Sequence, residues 1–300
     1  MGVRVIRRMI ATICALSALV CSMVLTPAGG AVARTAAQTP GKITPGALMI
    51  TSVSAAESSA CTAAFVFRNA KATFLSYAAH CAIPTQDKHR TGCEYETLPL
   101  GTRVEIRGAD GSRAYGSLAY SSWRTMQAIG DTQDERCRFN DLALVEIDPA
   151  DVSSIDPTVP VVGGPTGLVR SAPGRFEQVV SYQPYATDPP LKQGVTLGVG
   201  GGGWTHRIDV SPPANLGDSG SGLLDADGAA FGILATRYLD RLATSGVTDL
   251  RLALTYAERY GKVGDLELVP GRMPFQTPSR ATGEWAGLGD AATRVRSTAR

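Results

Sequence analysis

From Ala47 onward the apolar stretches are short, rich in β-branched residues and closely punctuated: ALMITSV, CTAAFVF, ATFLSYAAH, TRVEIRG, GSLAYSSW and DLALVEID follow one another up to Asp148. Runs of this length bounded by turn residues build strands, and their close succession is the pattern of an antiparallel all-β fold. In RVEIRGADGSRAYGSLAY the pattern predicts a hairpin with Asp110 and Gly111 at its tip. The turn-rich IDPTVPVVGGPTGL then separates two halves, and strand-like runs resume with FEQVVSY, GVTLGV, WTHRIDV, SGLLDA and AAFGILAT.

One segment breaks the rhythm. In GVTDLRLALTYAERYG, Leu250, Ala253, Leu254 and Ala257 recur at spacings of three and four, which predicts a helix capped by Thr248, with Asp249 in its first turn and Gly261 at its end. Beyond Val269 the chain is polar and carries Pro and Gly, and residues 270–300 read as a mobile C-terminal tail. Compact structure is expected over 47–269, with halves of about 47–155 and 156–269.

The N-terminus reads as a targeting segment. Arg4, Arg7 and Arg8 precede an apolar stretch from Met9 to Leu25, and Ala31 and Ala33 stand at A-x-A spacing. This is the layout of a signal peptide over residues 1–33, followed by a leader or short propeptide over 34–46. A membrane anchor is the competing reading, since about 17 apolar residues approach the lower limit for a span. Cleavage after Ala33 would remove Cys14 and Cys21 and leave Cys61, Cys81, Cys93 and Cys137 in an oxidising compartment. Four such thiols are expected to form two disulfides, with three pairings open. A zinc site is the rival use, because His80, Cys81, His89 and Cys93 lie close in sequence, but the repeated short ligand unit of zinc sites is missing.

With 300 residues, 44% hydrophobic and 19% charged, the chain can bury a substantial core, and its net charge of +2 gives no basic surface for nucleic acid. The glycine run GVGGGGW leads into a strand-like segment and not into a Lys- and Ser-bearing helix, so it reads as a loop and not a phosphate cradle.

Three histidines limit the chemistry that needs one. His80 ends an apolar run in SYAAHCA, His89 sits in a polar loop, and His206 lies on the strand-like WTHRIDV. A serine nucleophile needs a base for its proton and a carboxylate that orients the base. Asp141 opens NDLALVEID, where a carboxylate can be buried and still be reached. In NLGDSGSG, glycines surround Ser219 and allow a tight turn whose amides converge on a developing oxyanion.

SYAAHC, NDLALV and GDSGSG, in the order His, Asp, Ser, resemble the signature segments of the trypsin and chymotrypsin-like serine proteases, and PANLGDSGSGLLDADG and GVTDLRLALTYA are similar to secreted actinobacterial members. The resemblance spans about Ala47 to Gly261. It implies two antiparallel β-barrels with the active site in the cleft between them. Ser219 would be the nucleophile, His80 the general base, Asp141 its orienting carboxylate, and the amides of Gly217 and Ser219 the oxyanion donors. It also implies the pairings Cys61 with Cys81 and Cys93 with Cys137.

Departures from the family pattern are informative. Ser221 follows Gly220 where the family has a second glycine, and it reads as a turn residue. VVGG, Val161 to Gly164, falls between Asp141 and Ser219, so it cannot supply the new N-terminal amine that pairs with the Asp before the nucleophile in many relatives. Asp218 is therefore expected to find an internal partner. Pro213 occupies the place of the Asp that binds basic side chains, so cleavage after Lys or Arg is not expected. Ala235, Thr236 and Arg237 are expected to line the substrate pocket, with Arg237 either narrowing it or attracting an acidic side chain, and His206 is a candidate to approach it.

The resulting expectation is a secreted, monomeric serine endopeptidase that acts on protein or peptide substrates. It needs no cofactor or metal, and it engages neither nucleic acid nor, after signal cleavage, a membrane. A catalytically silent binding module on the same fold, a zinc-binding domain and an esterase are the rival readings.

Overall fold

The short apolar runs become the strands of two antiparallel sheets. In the computed structural model, which describes residues 43–84, 91–185, 189–238 and 243–278, the first sheet contains β1 (Leu48–Ser52), β2 (Ser58–Thr62), β3 (Val66–Arg68), β4 (Thr73–Tyr77), β5 (Arg103–Arg107), β6 (Arg113–Ser121) and β7 (Ala143–Ile147). The second contains β8 (Gln178–Tyr182), β9 (Leu191–Gly200), β10 (Thr205–Ser211), β11 (Gly222–Leu224), β12 (Ala230–Arg237) and β13 (Ser245–Asp249). The expected signal peptide, most of the leader, His89 and residues 279–300 lie outside the described residues.

The second sheet closes on itself as a barrel in the order β10-β13-β12-β11-β8-β9. The first is an eight-stranded sheet, completed by the short β14 (Glu267–Leu268), in the order β14-β3-β4-β7-β6-β5-β1-β2. Only three residues, Ala63 to Phe65, connect β2 to β3, so the two ends of this sheet must curl toward each other. Among the described residues no hydrogen-bonded ladder joins them, because β14 occupies the outer edge of β3 and the Thr62 N–H at the end of β2 goes to the Ser219 carbonyl. The fold is thus mostly β, one closed barrel and one curled sheet, with a helix near the C-terminal end.

Alternation explains the strands. In β6, Ala114, Gly116 and Leu118 face inward while Arg113 and Tyr115 face solvent. Three apolar clusters result: one inside the first sheet around Met49, Leu75 and Val145, one inside the barrel around Val179, Ile208 and Phe231, and one joining residues of both sheets to the C-terminal helix through Phe65, Leu144 and Leu254.

Two short helices, α1 (Ser122–Ile129) and α2 (Asp134–Phe139), were not expected. GSLAYSSW reads as a strand to its end, but the Ser121 hydroxyl accepts the Arg124 N–H and turns the chain into α1, which Gly130 closes at φ +67°. The C-terminal helix α3 (Leu250–Tyr260) lies where the periodicity put it, with its cap shifted by one residue. Asp249, not Thr248, accepts the Leu252 N–H, because Thr248 is still paired in β13 and its hydroxyl donates to the Phe139 carbonyl. Gly261 stands at the helix end as expected.

The tail expectation is corrected for its first part. Residues from Val269 to Gln276 form an extended strap hydrogen-bonded to the body: Val269 N–H to the Val66 carbonyl, Gly271 N–H to Pro165, Gly164 N–H to Met273 and Gln276 N–H to Val162. Polar composition with Pro and Gly signals irregular backbone, not freedom. At Gly271 a Cβ would stand 1.9 Å from the Gly164 carbonyl oxygen, so this close approach requires glycine. The VVGG stretch is where the strap docks.

Candidate active site

His80 is carried by a single 3-10 turn, Ala79–Cys81, immediately after β4. Asp141 lies two residues ahead of β7, and β4 pairs with β7 through Tyr77 and Ala143, so sheet register brings the two side chains together. The contact is double. One Asp141 oxygen accepts the His80 backbone N–H at 2.8 Å, and the other lies 2.6 Å from the ring Nδ1. Asp141 is nearly enclosed and the His80 side chain retains 16% exposure. Burial opposes charge on the imidazole, yet the charge and hydrogen bond of Asp141 together outweigh it and hold the His80 pKa above the ordinary histidine value. Trp123 of α1 tilts toward the imidazole at 6.4 Å and stacks on Tyr95 at 5.0 Å, forming an aromatic wall that sequence reading missed with α1 itself.

The disulfides are Cys61–Cys81 and Cys93–Cys137, the pairing that the family resemblance implied. Cys61, His80 and Cys81 offer atoms within 4.8 Å of one another, but both sulfurs are consumed in the bridge and present no thiolate to a metal. The zinc reading therefore loses its sulfur ligands.

Ser219 belongs to a turn docked on the partner strand of this bridge. The residue after Cys61, Thr62, gives its N–H to the Ser219 carbonyl at 2.8 Å and its hydroxyl to the Gly217 carbonyl at 2.7 Å. On the barrel side, the Gly220 N–H reaches the Leu234 carbonyl at 2.8 Å. Gly220 has φ +91°, and a Cβ there would stand 2.4 Å from the Thr62 carbonyl oxygen, so the turn cannot seat with any other residue. Ser219 is partly exposed. Ser221 is buried and donates its hydroxyl to the Asp218 carbonyl, the turn role read from the sequence. Among the described residues nothing accepts from the amides of Gly217 or Ser219.

The internal partner of Asp218 is Lys192, with Nζ 2.7 Å from the carboxylate and both side chains excluded from solvent. The Lys192 ammonium also donates to the Pro213 carbonyl, and the other end of the arrangement is fixed by the Asn215 N–H on the same Asp218 oxygen. Burial pulls the lysine below its ordinary pKa, against the pull of the carboxylate. Sequence reading passed over Lys192, although one signal was present: in LKQGVTLG the lysine shares the inward phase of Gly194 and Thr196. A lysine in that phase needs a buried anion.

The remaining predicted residues separate. Ala235 is half-buried, and Thr236 and Arg237 are exposed at the end of β12. Pro213 is exposed on the loop facing them. His206 is corrected: it is fully buried inside the barrel, its Nε2 2.9 Å from Asp249 and its ring edge-on to Phe231, because β10 turns it toward the core. Among the described residues no helix is long and apolar enough to cross a membrane.

No family model and no curated protein matches this chain. Solved structures similar to it include Protease A of Thermobifida fusca (19% identity, TM-score 0.49, covering 77% of this chain and 100% of that one), a Nocardiopsis protease (17%, 0.45, 76% and 99%) and a chymotrypsin of Cellulomonas bogoriensis (16%, 0.43, 76% and 98%). These three neighbours are actinobacterial proteases. At these identities the chemistry has to be read from this chain's own residues.

Proposed function

We propose that this chain is a secreted serine endopeptidase that cleaves peptide bonds through an acyl-enzyme on Ser219. The observation that carries the reading is the double hold of Asp141 on His80, which engages Nδ1 and leaves Nε2 as the proton acceptor. The Cys61–Cys81 bridge and the contacts of Thr62 with the Ser219 turn support a place for that turn beside the histidine.

In the reaction Ser219 Oγ attacks the substrate carbonyl as His80 Nε2 takes its proton. The imidazolium is stabilised by the Asp141 carboxylate, and the oxyanion is received by the amides of Gly217 and Ser219, which have no acceptor among the described residues. Collapse expels the amine, protonated by His80, and leaves the acyl-enzyme. Water, deprotonated by the same histidine, then releases the acid and restores Ser219. The buried Lys192–Asp218 pair holds the turn without a new N-terminal amine. Two disulfides fit an oxidising compartment, and with it export.

The test is labelling of the purified protein by a serine-directed phosphonate, with the modified residue mapped by mass spectrometry. Label on Ser219, lost in Ser219→Ala and His80→Ala, is expected, with peptidase kcat falling roughly 10⁶-fold in either variant. A folded protein that takes no label is a silent binding module, and label that persists in Ser219→Ala refutes the assignment.

A further inference from the structure

The strand beside the Ser219 turn carries a cation that has no carboxylate partner among the described residues. β12 runs beside the Ser219 turn: the Leu234 carbonyl accepts the Gly220 N–H at 2.8 Å, and the Leu234 N–H goes to the Ser221 carbonyl at 2.9 Å. Past that contact Ala235, Thr236 and Arg237 continue the strand, pairing on one side with β13 through Thr236 with Gly246 and Arg237 with Ser245. Among the described residues no strand pairs with their other edge. An extended peptide added there would lie along the same edge that leads from Ser219 to Arg237.

Facing this strand is the loop Pro213–Asp218. Arg237 reaches across to it, its guanidinium 3.4 Å from Asn215 Oδ1. A guanidinium and an amide thus link the strand to the loop. Among the described residues Arg237 forms no ion pair, whereas Lys192 already neutralises Asp218, the one carboxylate of the loop. Among the described residues, Arg237, Lys192 and Asp218 thus amount to two cations and one anion. Pro213 offers this face no free carbonyl, because Lys192 donates to it.

We infer that Arg237 is a specificity determinant that selects an acidic residue, glutamate or aspartate, on the acyl side of the bond cleaved. The inference rests on the proposed peptidase reading and names its substrate class. An exposed guanidinium with only a long hydrogen bond to an amide is a ready bidentate donor for a carboxylate. Exchange of the Asn215 contact for a substrate carboxylate would keep the strand and loop linked. A lysine or arginine side chain beside this guanidinium meets a like charge, and a neutral one leaves the guanidinium without an anion.

The test uses peptide phosphonate inhibitors and matched fluorogenic peptides that differ only in the residue next to the reacting bond: Glu, Gln, Ala or Lys. Wild type should react with the Glu probe on the order of tenfold or more faster than with the Gln probe. Arg237→Ala should bring the two to parity, Arg237→Lys should retain part of the preference, and Arg237→Glu should favour the Lys probe. Equal rates with Glu and Gln in wild type overturn the inference and leave the peptidase reading standing. So does a preference for Ala that Arg237→Ala broadens to larger neutral side chains, which would make Arg237 a steric plug. Failure of wild type to react with any probe overturns both.

Discussion

Lys192 and Asp218 form an ion pair of 2.7 Å that is sealed from solvent directly behind the Ser219 turn. Removal of one partner strands a buried charge, so Lys192→Met is expected to cost on the order of 3–5 kcal/mol in chemical denaturation. Lys192→Met with Asp218→Asn removes both charges and should recover part of that loss. Phosphonate labelling should fall in the single variant, because the Asp218 carboxylate also holds the Asn215 amide.

The His80–Asp141 contact sets a pH dependence. In the proposed mechanism the neutral imidazole is the active form, and Asp141 keeps the His80 pKa above the ordinary histidine value. The acid limb of the labelling rate should therefore lie above about pH 6.5 and move down in Asp141→Asn, with a rate loss of about 10⁴-fold. For stability the sign is opposite to that of an aspartate. The contribution is fully present below the unfolded histidine value and is lost as pH rises through the folded one.

Asp131 links α2 to α3. It accepts from the Arg136 guanidinium, which is the main reason its pKa is lowered to about 2, and also from the Gln133 N–H and the Tyr256 hydroxyl. Its side chain is only 5% exposed. A depressed folded value gives stability that is present above the unfolded pKa and lost as pH falls toward 2. Asp131→Asn should thus cost about 2 kcal/mol at neutral pH, and thermal melts of variant and wild type should converge between about pH 4 and pH 2.

The two disulfides should differ in consequence. Each closes a loop, with sequence separations of 20 and 44 residues, and each loss is expected to cost on the order of 3 kcal/mol. Only Cys61–Cys81 ties the strand that holds the Ser219 turn to the residue beside His80. Paired Cys→Ser variants compared at a temperature where both are folded should show reduced labelling for that bridge and near-normal labelling for Cys93–Cys137.

The strap has a separable effect. A chain ending at Pro278 keeps its hydrogen bonds to Val162, Gly164 and Pro165 and the packing of Phe275 on Gly228, whereas one ending at Val269 loses them. The shorter form should melt several degrees lower than the longer one by calorimetry.

By itself the sequence determined the all-β character, the place of α3, and the segments carrying His80, Asp141 and Ser219, because these rest on local periodicity and on motifs a few residues long. The hairpin at Asp110 and Gly111 was legible for the same reason: turn chemistry is local. Where reading failed, distant partners decided. Ser121 reads as a strand residue until its hydroxyl finds the Arg124 amide, and His206 reads as a pocket candidate until β10 turns it toward Asp249 and Phe231. Only the tertiary structure paired Lys192 with Asp218 across 26 residues, fixed the strap on VVGG, and left Arg237 facing Asn215 with no carboxylate among the described residues. Such choices depend on which backbone edges and buried charges remain unsatisfied once the sheets have closed, and no local pattern records that.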